Sequence, residues 1–147
     1  MTDEPILICY DGSESARNAI AAAGSLLGGR RAVVLDVAPV QEVAEAFAAM
    51  GSGAASLDRE ALDTAGAGAD EGAELARAAG FRAVGRTELE TSTWLGVVEV
   101  ADEIGAAAIV IGSRGLTGIR GFLEGGSVSH QVATHAGRPV LVVPPPH

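Results

Sequence analysis

The chain has 147 residues, 48% of them hydrophobic, and ten basic against nineteen acidic side chains give a formal net charge of −9. This length and apolar content suit one compact domain, while the acidic balance without a basic tract argues against nucleic acid or anionic lipid as a partner. One cysteine excludes an intrachain disulfide, and no apolar run reaches the length of a membrane span, so a reduced, cytoplasmic protein is expected.

Met1 to Glu4 is acidic and polar, unlike a signal peptide. Pro5 to Tyr10 is a short apolar run of the kind that forms a buried parallel strand. Cys9, inside it, reads as a reduced core thiol with no base beside it in sequence. Asp11-Gly12-Ser13 follows at once. Asp11 can bond the turn backbone, Gly12 relaxes the turn, and Ser13 can cap the next helix. That helix is expected from Glu14 to Leu27, with Ala16, Ile20, Ala23, Gly24 and Leu27 as its packing stripe. Gly28-Gly29 stop it. Asp11 has a plain reading as a turn residue. It also stands at the C-terminal end of a buried strand, where open α/β sheets place their ligands.

Arg31 to Pro39 is the second strand. Asp36 is unusual inside it and is expected to face a neighbouring loop or bond an arginine. Val40 to Met50 can be helical, Gly51 to Ser56 is a break, and Leu57 to Ala79 reads as a longer helix. That helix is weakened around Gly66 and Gly68, because a glycine costs about 1 kcal/mol relative to alanine. Phe81 to Leu89 alternates apolar and polar residues as an edge strand does. Capping hydroxyls then precede an amphipathic helix from Trp94 to Ile104, closed by Gly105. Trp94 reads as a packing residue.

The decisive stretch runs from Ala106 to Ser129. An apolar strand, Ala106 to Ile111, breaks into Gly112-Ser113-Arg114-Gly115-Leu116-Thr117-Gly118-Ile119-Arg120-Gly121. Gly125-Gly126-Ser127-Val128-Ser129 then leads into a helix from Val128 to Ala136. Glycines admit a ligand close to the backbone. Ser127 is a good N-cap, and a helix N-terminus attracts anions. Arg114 and Arg120 suit phosphate oxygens. The pattern predicts a phosphate cradle, with plain turns as the alternative use of these glycines. Pro139 to Val143 is the last strand. Five strands joined by helical crossovers imply a doubly wound, five-stranded, Rossmann-like parallel sheet, in order 3-2-1-4-5 with helices on both faces. Its ligand crevice then lies at the switch point between the first and fourth strands, lined by Asp11 and the Gly112 loop.

These residues resemble the universal stress protein family over nearly the whole chain. The likeness includes Tyr10-Asp11-Gly12-Ser13, Val37-Ala38-Pro39 and Val110-Ile111-Gly112-Ser113-Arg114-Gly115. It is strongest in Gly126-Ser127-Val128-Ser129-His130-Gln131-Val132 and in Gly137-Arg138-Pro139-Val140-Leu141-Val142-Val143-Pro144. The family's ATP-binding branch carries a glycine, two residues, a glycine, nine residues, then a glycine with Ser or Thr. Gly112, Gly115 and Gly126-Ser127 match its ends, but ten residues, Leu116 to Gly125, lie between Gly115 and Gly126. Taking Gly125 instead restores nine and puts Gly126 in place of the hydroxyl residue. The Ser-Val-Ser-His register favours Gly126-Ser127.

The resemblance implies that Asp11 and Val37 line the adenosine end, Val37 through its backbone. Gly112, Gly115, Gly126, Ser127, Val128 and Ser129 would hold ribose and phosphates. Cys9, Ile111 and Arg114 complete the candidate nucleotide-binding set. The implied ligand is ATP with Mg²⁺, the metal riding on the phosphates, with Asp11 as the alternative protein contact. A homodimer paired through Pro139 to Val143 is also implied, which fits an apolar edge strand.

The expected function is therefore an ATP-binding regulatory protein. A family member that binds no nucleotide and acts through protein contacts is the alternative, kept because of the longer loop. A fast phosphotransferase is disfavoured: the chain contains no lysine, hence no P-loop lysine, and Asp11 supports slow hydrolysis at most. His130 and His135 are five apart, which points them away from each other around a helix and away from a shared metal. Both read as surface or dimer-contact residues.

Overall fold

Five short runs rich in Val, Ile and Leu pair side by side, all in parallel, in the order β3-β2-β1-β4-β5. In this computed structural model the described residues are 3–39, 54–90, 92–113 and 128–145. The strands are β1 (Ile6–Cys9), β2 (Arg31–Pro39), β3 (Arg82–Glu90), β4 (Ala108–Gly112) and β5 (Val140–Val143). The described helices are α1 (Glu14–Leu27), α2 (Ala54–Ala78), α3 (Thr93–Ile104) and α4 (Val128–His135). The predicted sheet order and the helical crossovers are found as expected.

The period of two along each strand divides the core into two layers. Ile6, Ile8, Tyr10, Ala32, Val34, Ala83 and Val110 face α1 and α2. Leu7, Leu35, Val37, Ile109 and Ile111 face α3 and α4. Aromatic side chains are few, so small residues fill both layers and the helices lie close to the sheet. Where they lie closest, glycine is required. A Cβ on Gly72 of α2 would stand 2.7 Å from Val34 Cγ1 and 2.8 Å from the Tyr10 ring. A Cβ on Gly24 of α1 would stand 2.5 Å from the Ala79 carbonyl oxygen. Gly72, which costs α2 helix propensity, is thus the residue that lets it pack on the sheet, whereas a Cβ on Gly66 would meet no neighbour. The helix runs unbroken through Gly66 and Gly68, and it takes in Ala54 to Ser56, which the sequence reads as part of a break. The helix expected over 40–50 lies outside the described residues.

Polar contacts fix the helices in register. The Tyr10 hydroxyl donates to Glu71 Oε1 at 2.7 Å, and Arg17 Nη2 reaches the same oxygen at 3.2 Å, tying β1, α1 and α2 together. On the other face Arg138 donates to the carbonyls of Ala101 at 3.0 Å and Ala106 at 2.6 Å, and to Asp102 Oδ1 at 2.6 Å. It closes the C-terminal end of α3, where Gly105 turns left-handed at φ 63°. That is the structural use of the Gly137-Arg138-Pro139 turn before β5.

Gly72→Ala should destabilise the protein by about 1–3 kcal/mol, because the methyl has no room against Val34 and Tyr10. Urea denaturation followed by circular dichroism measures this; an unchanged midpoint would mean that α2 does not sit this close to the sheet.

Candidate functional site

The C-terminal ends of β1 and β4 are neighbours, and the chain leaves both by turns that the sequence specifies. At β1, the Ser13 N–H donates to Asp11 Oδ1 at 2.9 Å, and the Ala16 N–H donates to Ser13 Oγ at 3.1 Å. Gly12 between them takes φ 82°, a conformation that suits glycine. Asp11 is therefore both a turn residue and part of the crevice rim. At β4, a Cβ on Gly112 would stand 2.6 Å from Ser15 Oγ in the first turn of α1. The strand end and the helix start touch backbone to side chain at this glycine. Ser15 Oγ itself is buried with no hydrogen-bond partner among the described residues.

Beside this rim the packing is apolar. Val37, Ile111 and Val128 belong to one buried cluster between the sheet and α3–α4, with Cys9 and Trp94 packed against it. Ser129, in the first turn of α4, is buried. Seven sequence-predicted residues thus stand on three neighbouring features: the rim (Asp11, Gly112), the apolar packing (Cys9, Val37, Ile111, Val128) and the mouth of α4 (Val128, Ser129). Arg114, Gly115, Gly126 and Ser127, the middle of the predicted cradle, lie outside the described residues.

Two carboxylates meet at the rim. Asp36, half-buried on β2, has its carboxyl pushed up to about 6, first by burial and then by the nearby Asp11. Among the described residues no arginine bonds it, which was one of the two readings the sequence offers; strand alternation turns it toward α2. There Oδ2 lies 2.6 Å from the point where a Gly68 Cβ would stand. The sequence marks Asp36 as unusual but carries no signal for its meeting with Asp11 and Gly68. Ser15 was not foreseen either, since only the fold brings it to Gly112. The Cys9 thiol is raised to about 12, by burial first and Asp11 second, and is held protonated as the core reading expects. Among the described residues, no group of three or more His, Cys, Asp or Glu is placed to hold a metal ion. His130 and His135 are exposed on α4, and the His135 ring stacks on Trp94 with centroids 4.6 Å apart.

The arrangement combines three kinds of surface. Carboxylate oxygens accept hydrogen bonds from hydroxyl or amino groups and repel anions. The N-terminus of α4 attracts anions. The apolar cluster includes Val128 at that N-terminus and Val37 and Ile111 on the strands. A ligand with a donor-rich head, a flat apolar body and an anionic tail fits that combination.

Two measurements check the electrostatics. Asp36 binds its proton more tightly folded than unfolded, so its contribution to stability is present below the ordinary carboxylate value of 3.8 and lost as pH rises through about 6. Asp36→Asn should therefore gain about 1 kcal/mol at pH 7.5, after allowance for solvent screening, and that gain should vanish toward pH 4. Equal gains at both pH values would contradict it. The Cys9 thiol should react with iodoacetamide far more slowly than a free cysteine at pH 8.5; parity with free cysteine would contradict the burial.

The universal stress protein family model matches residues 4–144. No curated protein matches the chain. Among solved structures, hypothetical protein MJ0577 is 23% identical with a TM-score of 0.72, over 100% of this chain and 99% of its own. A universal stress protein in complex with cAMP is 25% identical with a TM-score of 0.63, over 97% and 98%. The universal stress protein from Archaeoglobus fulgidus in complex with dAMP is 23% identical with a TM-score of 0.56, over 94% and 95%.

Proposed function

The chain belongs to the universal stress protein family, and we propose that it is a single-domain, cytoplasmic, adenine-nucleotide-binding module whose natural ligand is ATP with Mg²⁺. The observation that carries this reading is the convergence at one crevice of Asp11, the apolar packing of Cys9, Val37 and Ile111, the Gly112 contact and the first turn of α4. Adenine and ribose match the donor-accepting and apolar surfaces, and the phosphates match the helix N-terminus and the glycine loop that precedes it. A family member 25% identical to this chain binds cAMP, which supports an adenine nucleotide as the ligand class. Mg²⁺ would neutralise the phosphate charge, and Asp11 is the rim carboxylate able to approach it.

Regulation rather than rapid turnover fits the residues. The crevice offers Asp11 but no lysine, and the Cys9 thiol is no nucleophile while it stays protonated. Pairing through β5 supplies a partner surface. Val142 on that edge strand is 39% exposed, and Pro139 to Pro146 carries no charge. The opposite edge, β3, is guarded by Arg82, Arg86 and Glu88. A homodimer through β5 covers the unguarded edge. The ten-residue spacing between Gly115 and Gly126 favours the second reading, a family member acting through protein contacts without nucleotide.

Calorimetric titration of the nucleotide-stripped protein with Mg-ATP separates the two. Saturable binding that Gly115→Val abolishes, with the fold intact by circular dichroism, is the expected result. Absence of binding heat together with absence of nucleotide in the protein as purified would favour the second reading.

A further inference from the structure

A second helix start at the same edge of the sheet is left unsatisfied. β3 ends at Glu90 opposite Pro39 of β2, and α3 begins at Thr93, so its first turn stands at the C-terminal edge. Ser92 occupies the N-cap in extended geometry, φ −130° and ψ 131°, yet its side chain makes no capping bond. The first intrahelical bond is the Gly96 N–H to the Ser92 carbonyl, 3.1 Å. The N–H groups of Thr93, Trp94 and Leu95 precede it and have no acceptor within the helix. No acidic residue stands in this turn to offset the dipole. At α1, by contrast, Ser13 caps and Glu14 supplies the charge.

The independent observation is Thr93. It is only 7% exposed, and its Oγ1 is out of reach of water with no hydrogen-bond partner among the described residues. Buried hydroxyls are nearly always bonded, and an orphan one points to an ion or water as its partner. Cα–Cβ bonds on a helix tilt toward its N-terminus, and Thr93 carries its hydroxyl on such a bond at the end where the free N–H groups open. Trp94 in the same turn packs on the cluster that contains Cys9, Val37, Ile111 and Val128.

We propose that the first turn of α3 is an anion site for a phosphate group, distinct from the glycine loop before α4. The N–H groups of Thr93, Trp94 and Leu95 and the hydroxyls of Ser92 and Thr93 are its donors. Phosphate is the matching class because it offers several acceptor oxygens to several convergent donors, whereas a carboxylate offers two. The chain's net charge of −9 repels anions at long range, so short-range backbone donors must supply the attraction. The phosphate is either free or carried by a nucleotide.

The test uses the full chain, stripped of nucleotide, with its single tryptophan as a fluorescent reporter inside the site. Inorganic phosphate at constant ionic strength should give a saturable change in the parent and in Thr93→Ser. Thr93→Val should bind at least tenfold more weakly, about 1.4 kcal/mol. Gly115→Val should leave this response in place, which keeps the outcome separate from that of the nucleotide reading. If only Mg-ATP moves Trp94, and Thr93→Val weakens that response tenfold, the phosphate arrives on the nucleotide and the site stands. A melting experiment gives a second readout. Thr93→Val should melt higher than the parent in phosphate-free buffer, and should lack the stabilisation that phosphate gives the parent. Equal responses of parent and Thr93→Val to both probes would overturn the proposal, as would no phosphate- or nucleotide-dependent change in either readout.

Discussion

The close approach of helices to the sheet is the constraint on which the rest depends. The core is built from Ala, Val, Leu and Ile, with few aromatic rings to act as spacers. The helices therefore settle onto the strands until only glycine fits, at Gly72 and Gly112, and α1 meets the end of α2 in the same way at Gly24. Two of these contacts stabilise the architecture. The third, Gly112 against Ser15, sets the crevice: it brings the end of β4 onto the start of α1 and so beside Asp11. A larger residue there would push apart the two loops that have to face one ligand.

Most of the fold is legible because its signals are local. Buried strands appear as short β-branched runs, and α1 was bounded by Ser13 and by Gly28-Gly29 at the residues where the structure starts and ends it. The parallel order follows from helical crossovers and their handedness. Two departures have tertiary reasons. α2 runs on through Gly68 and Gly72, because local helix propensity is outweighed where those glycines admit Asp36, Val34 and Tyr10. β4 starts at Ala108 rather than Ala106, because the Ala106 N–H is taken by the Ala101 carbonyl in closing α3.

The candidate site was less legible, and in a consistent way. Asp11, Val37 and Val128 can be placed from strand ends and from a resemblance, since both are read along the chain. Ser15 at Gly112, Asp36 between Asp11 and Gly68, and the orphaned Thr93 hydroxyl depend on pairs of residues far apart in sequence. No spacing rule reaches them. Asp36 shows the limit well: its oddness inside a strand is visible in the sequence, but what it faces is not, and among the described residues no arginine bonds it. Burial toward α2 offers it a carboxylate neighbour instead, and its raised pKa is the consequence.

If the ends of β1, β2 and β4 and the first turn of α4 form one nucleotide crevice, Mg-ATP must touch all four at once. Mapping amide signals of the nitrogen-labelled protein during titration with Mg-ATP tests this. The largest shifts should fall on Asp11, Val37, Ile111, Gly112, Val128 and Ser129, and they should saturate together. An unchanged spectrum, or shifts confined to β5, would contradict a shared crevice and leave a protein that works through its edge strand alone.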